Sequence, residues 1–469
     1  MASLSFIDIL IILLFFAAVI VIGLLPRRFQ NNEHENYLLS GRKVGLFFFV
    51  LTNVASWYGG ILGVGEFSYK YGLLSWFTQG LPYYIFAFLF ALFFSEKVRK
   101  TSLFTIPEKF EKIYGRTASL LATVLIFLLV SPAPYLLMIG YLISVIFNVN
   151  IIWGLIITAA ATTVYLIKGG FKSDIYTNSF QFFVMFAGFI FIVLAAYFTF
   201  GGLPYLEKNL PAGHLTLTGH ASPLYLLVWF LIALWTFTDP GFHQRSNAAI
   251  DGKTAKRGIL ISILLWAFFD FLTTSTGLYA RAALPNLANP VLSFQALAEK
   301  ILGPGLKGLF YAAMFATILA TLNSFVFLSA TTIGYDIIFK LKKVKDETRI
   351  IHYTRIGVVV SAISGVILAY FFNSVIEIWF TVGSICIPGL IFLVIGAYYK
   401  KFEVSGKRAS AEIVISTISA LLWFILRNNF AGTIYYDIEP MIVGLAVAAG
   451  IHFGKGFKID LQAKPVRGK

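Results

Sequence analysis

The chain has 469 residues, of which 58% are hydrophobic, 17% aromatic and 13% charged, with a net charge of +15 and a mean hydropathy of +0.81. Soluble domains carry about 25% charged residues, so this composition excludes an ordinary soluble globular protein. The single cysteine, Cys386, leaves no internal disulfide and no cysteine-based metal centre, and the basic residues fall between apolar runs instead of on one face, which argues against a nucleic-acid partner.

A window of about 20 residues, the length that crosses a bilayer, marks thirteen apolar spans. In chain order they are 5–25, 44–72, 74–95, 117–147, 150–167, 176–201, 223–248, 258–283, 307–339, 351–372, 374–399, 409–426 and 436–454. The first lacks a small-residue cleavage site and is followed by Pro26-Arg27-Arg28, so it reads as a retained helix and not as a signal peptide. No separate soluble domain remains. The expectation is one all-α polytopic membrane domain over 1–469, with the solute and the lipid bilayer as its partners and no obligate protein partner evident.

Loop charges orient the spans, because cytoplasmic loops are enriched in Lys and Arg. With the N-terminus outside and the C-terminus inside, all the basic residues except Lys70, Lys208, Arg281, Lys300, Lys307 and Arg427 fall on the inner side, Arg245 among them.

Two spans are interrupted by their own residues. The second carries Ala55-Ser56-Trp57-Tyr58-Gly59-Gly60 near its centre, and the seventh carries Asp239-Pro240-Gly241. Proline removes a backbone donor and glycine loosens the helix, and broken helices in corresponding positions of two halves point to a transporter's binding site. The breaks lie five spans apart. Five is odd, so the second unit starts on the opposite side of the membrane, as an inverted five-plus-five repeat requires. Spans two to six (44–201) and seven to eleven (223–399) would be the two repeats, with 5–25 before them and 409–454 after.

Span nine sets Ala313, Thr317, Ala320, Thr321 and Ser324 at steps of three and four along one helical face. Such a face packs against another helix or offers hydroxyls to a hard monovalent cation.

Taken together, these spans resemble the sodium/solute symporter family. The resemblance covers nearly the whole chain and rests on Gly169-Gly170 followed by Tyr176-Thr177-Asn178 and Gln181, on Gln244-Arg245 then Ala248-Ala249, and on Ala320-Thr321-Leu322-Asn323-Ser324 ahead of Tyr335-Asp336. It implies the LeuT-type inverted-repeat fold and a secondary active transporter in the inner or plasma membrane. The transporter would import a small organic solute (sugar, amino acid, carboxylate or related) by alternating access, with Na+ as coupling ion. It also implies a sodium site made of the carbonyls of Ala55, Tyr58 and Thr317 and the side chains at Ala320 and Thr321. The chain departs from the family at two positions. Ala320 stands where a hydroxyl is usual, and Asn178 replaces an aspartate associated with cation access, so one sodium per solute is expected and not two. Asp174, one turn earlier, either compensates for that lost charge or, with Lys172 and Ser173 as neighbours, is a solvated loop charge, the reading preferred here.

Carboxylates in lipid demand a reason. Asp239 lies at the second break and aligns with the family's solute-facing stretch, so it is read as a ligand for a cationic group or a proton, or else as a helix cap or a partner of Arg245. Glu66 lies near the end of its span. Asp270 has no motif to support a role beyond pairing with a neighbouring helix. The aromatics Trp57, Tyr58, Tyr135, Trp235 and Phe242, with Gly59 between them, cluster near the breaks and are candidate solute contacts. Proton coupling or facilitated transport on the same fold is the alternative within transport, and a channel the alternative outside it. An enzyme is not expected, since the six histidines show no ligand spacing.

Overall fold

The computed structural model describes residues 4–25, 33–340, 349–371, 375–431 and 438–454, with 342, 346, 347, 433, 435 and 436. The basic stretches at 27–28 and 455–469, used above to orient the chain, lie outside them. The described residues are helical apart from turns and connections; Val44 and Ala249 form an isolated backbone pairing.

Nine of these helices are long and apolar enough to cross a bilayer. A tenth crossing is made if Phe380–Cys386 and Ile391–Tyr398, which meet at 54°, count as one bent span. Two shorter apolar helices, Leu46–Ala55 and Pro440–Phe453, add to these. Their outer surfaces are apolar: Phe198 and Phe371 expose 80% and 74% of their area, which in water would be an aggregation hazard and in lipid is solvation.

One element departs from the expected pattern. In place of a loop between 167 and 176, two helices within Ile151–Phe200 meet directly at a kink. The change of direction is confined to Gly170, at φ 56° and ψ −142°, where a Cβ would lie 2.5 Å from the Tyr37 carbonyl oxygen. No L-residue with a side chain settles there without strain. Two further interruptions were not anticipated, at Val130 to Pro132 between Arg116–Leu129 and Ala133–Phe147, and at Gly80 between Leu74–Gln79 and Leu81–Phe93.

The centre of the molecule is Leu306–Thr331, continued by the wider π-helical turns of Thr332–Phe339. It is buried along nearly its whole length, because alanines 312, 313, 316 and 320 let neighbouring backbones approach. A Cβ on Gly188 would lie 2.3 Å from the Ala313 Cβ, which places Ile151–Phe200 directly against it. The first helix, Phe6–Leu24, is fixed to the same core: Ser5 caps it, and Asp8 Oδ1 accepts the Gly305 and Gly308 amides at 2.8 and 2.7 Å.

Candidate functional site

The first break follows from the end of Leu46–Ala55. Ser56 turns its hydroxyl back onto the Thr52 carbonyl at 2.6 Å, Trp57 and Tyr58 leave helical geometry, and Ile61–Tyr71 resumes after Gly60. In the second, Asp239 is extended and Pro240 opens the helix Pro240–Ala248. Asp239 Oδ1 accepts the Gly241 and Phe242 amides at 2.5 and 3.0 Å, satisfying two of the donors that a helix start leaves free. Of the roles considered for this carboxylate, the helix cap is the one the geometry displays directly.

Between the breaks lies a cavity of about 190 Å³. Trp57, Tyr58, Tyr135, Trp235, Asp239, Phe242 and Thr321 all line it, so seven of the residues singled out in the sequence converge on one space. Trp57 is the hub of its aromatic wall, with ring centroids 5.2 to 5.4 Å from those of Tyr83, Phe242 and Trp266. Gly59 does not line the cavity but sets its width, because a Cβ there would lie 2.5 Å from both Thr321 Cβ and the Tyr135 ring. Four polar atoms of lining residues, Asn53 Nδ2, Trp229 Nε1, Arg245 Nε and Thr321 Oγ1, are buried and have no hydrogen-bond partner among the described residues. Asn53, Trp76, Gln79, Tyr83 and Phe325 also line the cavity and carried no recognisable pattern in the sequence.

Of the expected sodium set, Tyr58 and Thr321 line the cavity, and Ala55, Thr317 and Ala320 do not. Ala55 is the last residue of its helix, where carbonyls lose their helical partners, whereas Leu306–Thr331 runs unbroken through Thr317, Ala320 and Thr321. The carbonyl of Thr317 therefore belongs to a continuous helix. Its hydroxyl donates to the Ala313 carbonyl at 2.6 Å, which leaves its lone pairs as acceptors. Ala320 offers a buried methyl, and Ser324 Oγ lies 3.2 Å from its carbonyl.

Behind the cavity lies a polar cluster that corrects two readings. Asp174 is not a solvated loop charge but fully buried, and both its oxygens accept from Ser324 Oγ at 3.0 Å. Arg245 is not a loop charge either; it is buried and donates to the same Ser324 hydroxyl at 2.9 Å. Asn178, the expected cation-access residue, is fully buried, and its Nδ2 donates to Asp174 Oδ1 at 3.2 Å and to Thr52 Oγ1 at 3.1 Å. Glu66 stands apart from all this, paired with Lys70 at 2.5 Å one turn away.

Comparison with known proteins places this geometry. The profile of the sodium:solute symporter family matches residues 37–411. The chain belongs to the sodium:solute symporter family. The osmoregulated proline transporter of Bacillus subtilis is 25% identical over 93% of this chain and 92% of that one. The high-affinity choline transporter 1 of Drosophila melanogaster is 25% identical over 78% of this chain and 63% of its own length. Among solved structures, a Na+-coupled sialic acid symporter in a substrate-bound outward-open state superposes with a TM-score of 0.81 at 15% identity, covering 96% and 97% of the two chains. The fold is thus LeuT-type, and this family member is a multi-pass secondary transporter that couples a small organic solute to Na+.

Proposed function

We propose that this symporter binds its solute in the cavity between the two breaks and imports it across a cell membrane by alternating access, with one Na+ per solute. The observation that carries the reading is the convergence of both broken helices on one aromatic-walled cavity that holds unpartnered polar groups. Such groups are costly when dry and become satisfied by a bound solute or ion.

The sodium ion is assigned to the first break, with the carbonyls of Ala55 and Tyr58 and the hydroxyls of Thr317 and Thr321. Thr321 Oγ1 is buried and unpartnered beside Gly59, and Thr317 Oγ1 has its proton committed and its lone pairs free. Ala320 contributes no side-chain ligand. None of these ligands carries a formal charge; carbonyl dipoles at a helix end hold a monovalent cation without one.

Thirteen crossings with the N-terminus outside and the C-terminus inside complete the proposal. They are obtained when Gly170 divides Ile151–Phe200 and when Leu46–Tyr71, the bent pair and Pro440–Phe453 each cross once. The repeats are then 44–201 and 223–399, and the inner or plasma membrane is the location.

The test is uptake into proteoliposomes under imposed sodium and pH gradients in turn. Accumulation should follow the sodium gradient. Uptake that follows the pH gradient alone, or proceeds equally with neither, replaces this reading by proton-coupled or facilitated transport.

A further inference from the structure

We propose that the solute carries a positively charged nitrogen and that Asp270 is the carboxylate that receives it. The proposal rests on the central cavity being the solute site. Asp270 projects from the helix Gly252–Ala283 into that cavity's wall and also borders a second, largely apolar cavity of about 830 Å³ formed with Ile151–Phe200 and Leu203–Asn209. Its carboxylate therefore stands in the partition between an aromatic chamber and an apolar one.

Among the described residues no Lys, Arg or His pairs with it. Its hydrogen-bond partner is the neutral hydroxyl of Tyr84. The neighbouring hydroxyl of Tyr58 is committed to the Trp266 carbonyl at 2.8 Å. Room for the carboxylate is made at the interruption between Leu74–Gln79 and Leu81–Phe93, because a Cβ on Gly80 would lie 2.8 Å from Asp270 Oδ2.

The other acidic and basic side chains on the cavity wall are Asp239 and Arg245. Asp239 is met by two helix amides, and Arg245 lies beside it, with its Nη1 and Asp239 Oδ1 each 2.7 Å from where a Gly241 Cβ would be. Behind the wall Arg245 also faces Asp174 through Ser324. Arg245 thus stands near two carboxylates, and no cationic side chain among the described residues pairs with Asp270. Asp270 is partly exposed where the two cavities meet, and a carboxylate there without a counter-charge is stabilised in its ionised form by a cation that enters.

The chemistry around Asp270 selects an organic cation over a metal ion. Trp57, Trp76, Tyr83, Trp235 and Phe242 share the same wall, and aromatic faces attract a substituted ammonium while its carbon substituents fill apolar space. A bare alkali ion prefers a shell of oxygens, which the first break supplies and the neighbourhood of Asp270 does not.

The test is thermal unfolding of the purified full-length chain in saturating sodium. The probes are choline, tetramethylammonium and proline, whose nitrogens are positively charged, with glucose and pantothenate as neutral and anionic controls. At least one nitrogen cation should raise the unfolding temperature while the controls do not. In Asp270→Asn its half-saturating concentration should rise about tenfold or more, as expected for removing a unit charge a few ångströms from the ligand. The shift caused by sodium alone should be unchanged in that variant. Stabilisation by glucose or pantothenate alone, stabilisation by no probe, or equal cation binding by wild type and Asp270→Asn overturns the proposal. So does loss of the sodium-only shift, which assigns Asp270 to the ion. Should Asp270→Asn not fold, Asp270→Glu decides, since it keeps the charge and is expected to keep the cation response. Failure of the symport reading is distinct: it shows as absence of any sodium effect in the wild type, whichever probe is present.

Discussion

Replacing Asp239 separates a structural role from a functional one, because its cap geometry and its charge are removed by different substitutions. Asparagine caps helices about as well as aspartate, so Asp239→Asn keeps an oxygen for the Gly241 and Phe242 amides and loses the charge interaction with the helix N-terminus, about 0.3–1 kcal/mol. Alanine removes the oxygen as well. The two buried amides left unpaired cost about 1–3 kcal/mol each, so Asp239→Ala should destabilise by about 2–6 kcal/mol. Chemical unfolding in detergent reads the stability, and sodium-driven uptake reads the function. The expected pattern is a near-native fold for Asn with uptake abolished or re-specified, and a destabilised fold for Ala. Normal uptake by Asp239→Asn with an unchanged pH profile would reduce the carboxylate to a cap, and an Ala variant as stable as wild type would refute the cap.

Other perturbations address the remaining parts of the site. Thr321→Ala and Thr317→Ala should each raise the sodium concentration needed for half-maximal uptake, and Ala320→Ser should lower it by roughly the 1 kcal/mol of one added polar interaction; sodium titration of initial rates measures all three. Gly59→Val should abolish uptake while the chain still inserts, because its side chain would collide with Thr321 and Tyr135, and wild-type rates in that variant would contradict the close approach. Asp174→Leu leaves Arg245 and Ser324 without their buried partner and should cost about 3–5 kcal/mol in unfolding experiments, whereas a loss below 1 kcal/mol would mean that the cluster is already hydrated. Cysteine introduced at Lys343 should resist an impermeant thiol reagent in intact cells, and ready labelling there would overturn the thirteen-crossing topology.

The breaks were legible because their causes are local. Proline at 240 and the small and aromatic residues at 55–60 interrupt a helix wherever they occur, and an apolar run on either side says that the interruption is in the membrane. Gly170 was legible only as half of a Gly-Gly pair, since nothing in the flanking sequence says that helix continues on both sides. Asp174 and Arg245 were misread for one shared reason. Each sits among loop-like neighbours, Lys172-Ser173 and Ser246-Asn247, and what buries them is the packing of Leu306–Thr331 from more than 75 residues away. Asp270 was visible as a carboxylate out of place, but its partner Tyr84 lies 186 residues earlier in the chain, and pairings across that distance leave no periodicity to read.

Those tertiary contacts also connect the two breaks. From Asp239 at the second break the chain of neighbours passes to Arg245, from Arg245 to Ser324, from Asp174 and Ser324 to Asn178, and from Asn178 to Thr52. Thr52 lies one turn before the first break, and its carbonyl accepts the Ser56 hydroxyl. Four helical segments therefore share one buried polar cluster: Leu46–Ala55, Ile151–Phe200, Pro240–Ala248 and Leu306–Thr331. A group left unpaired there loses a charge-assisted bond, which couples the movement of these segments. That coupling is what alternating access requires, since a symporter whose two broken helices moved independently would let the ion cross without the solute.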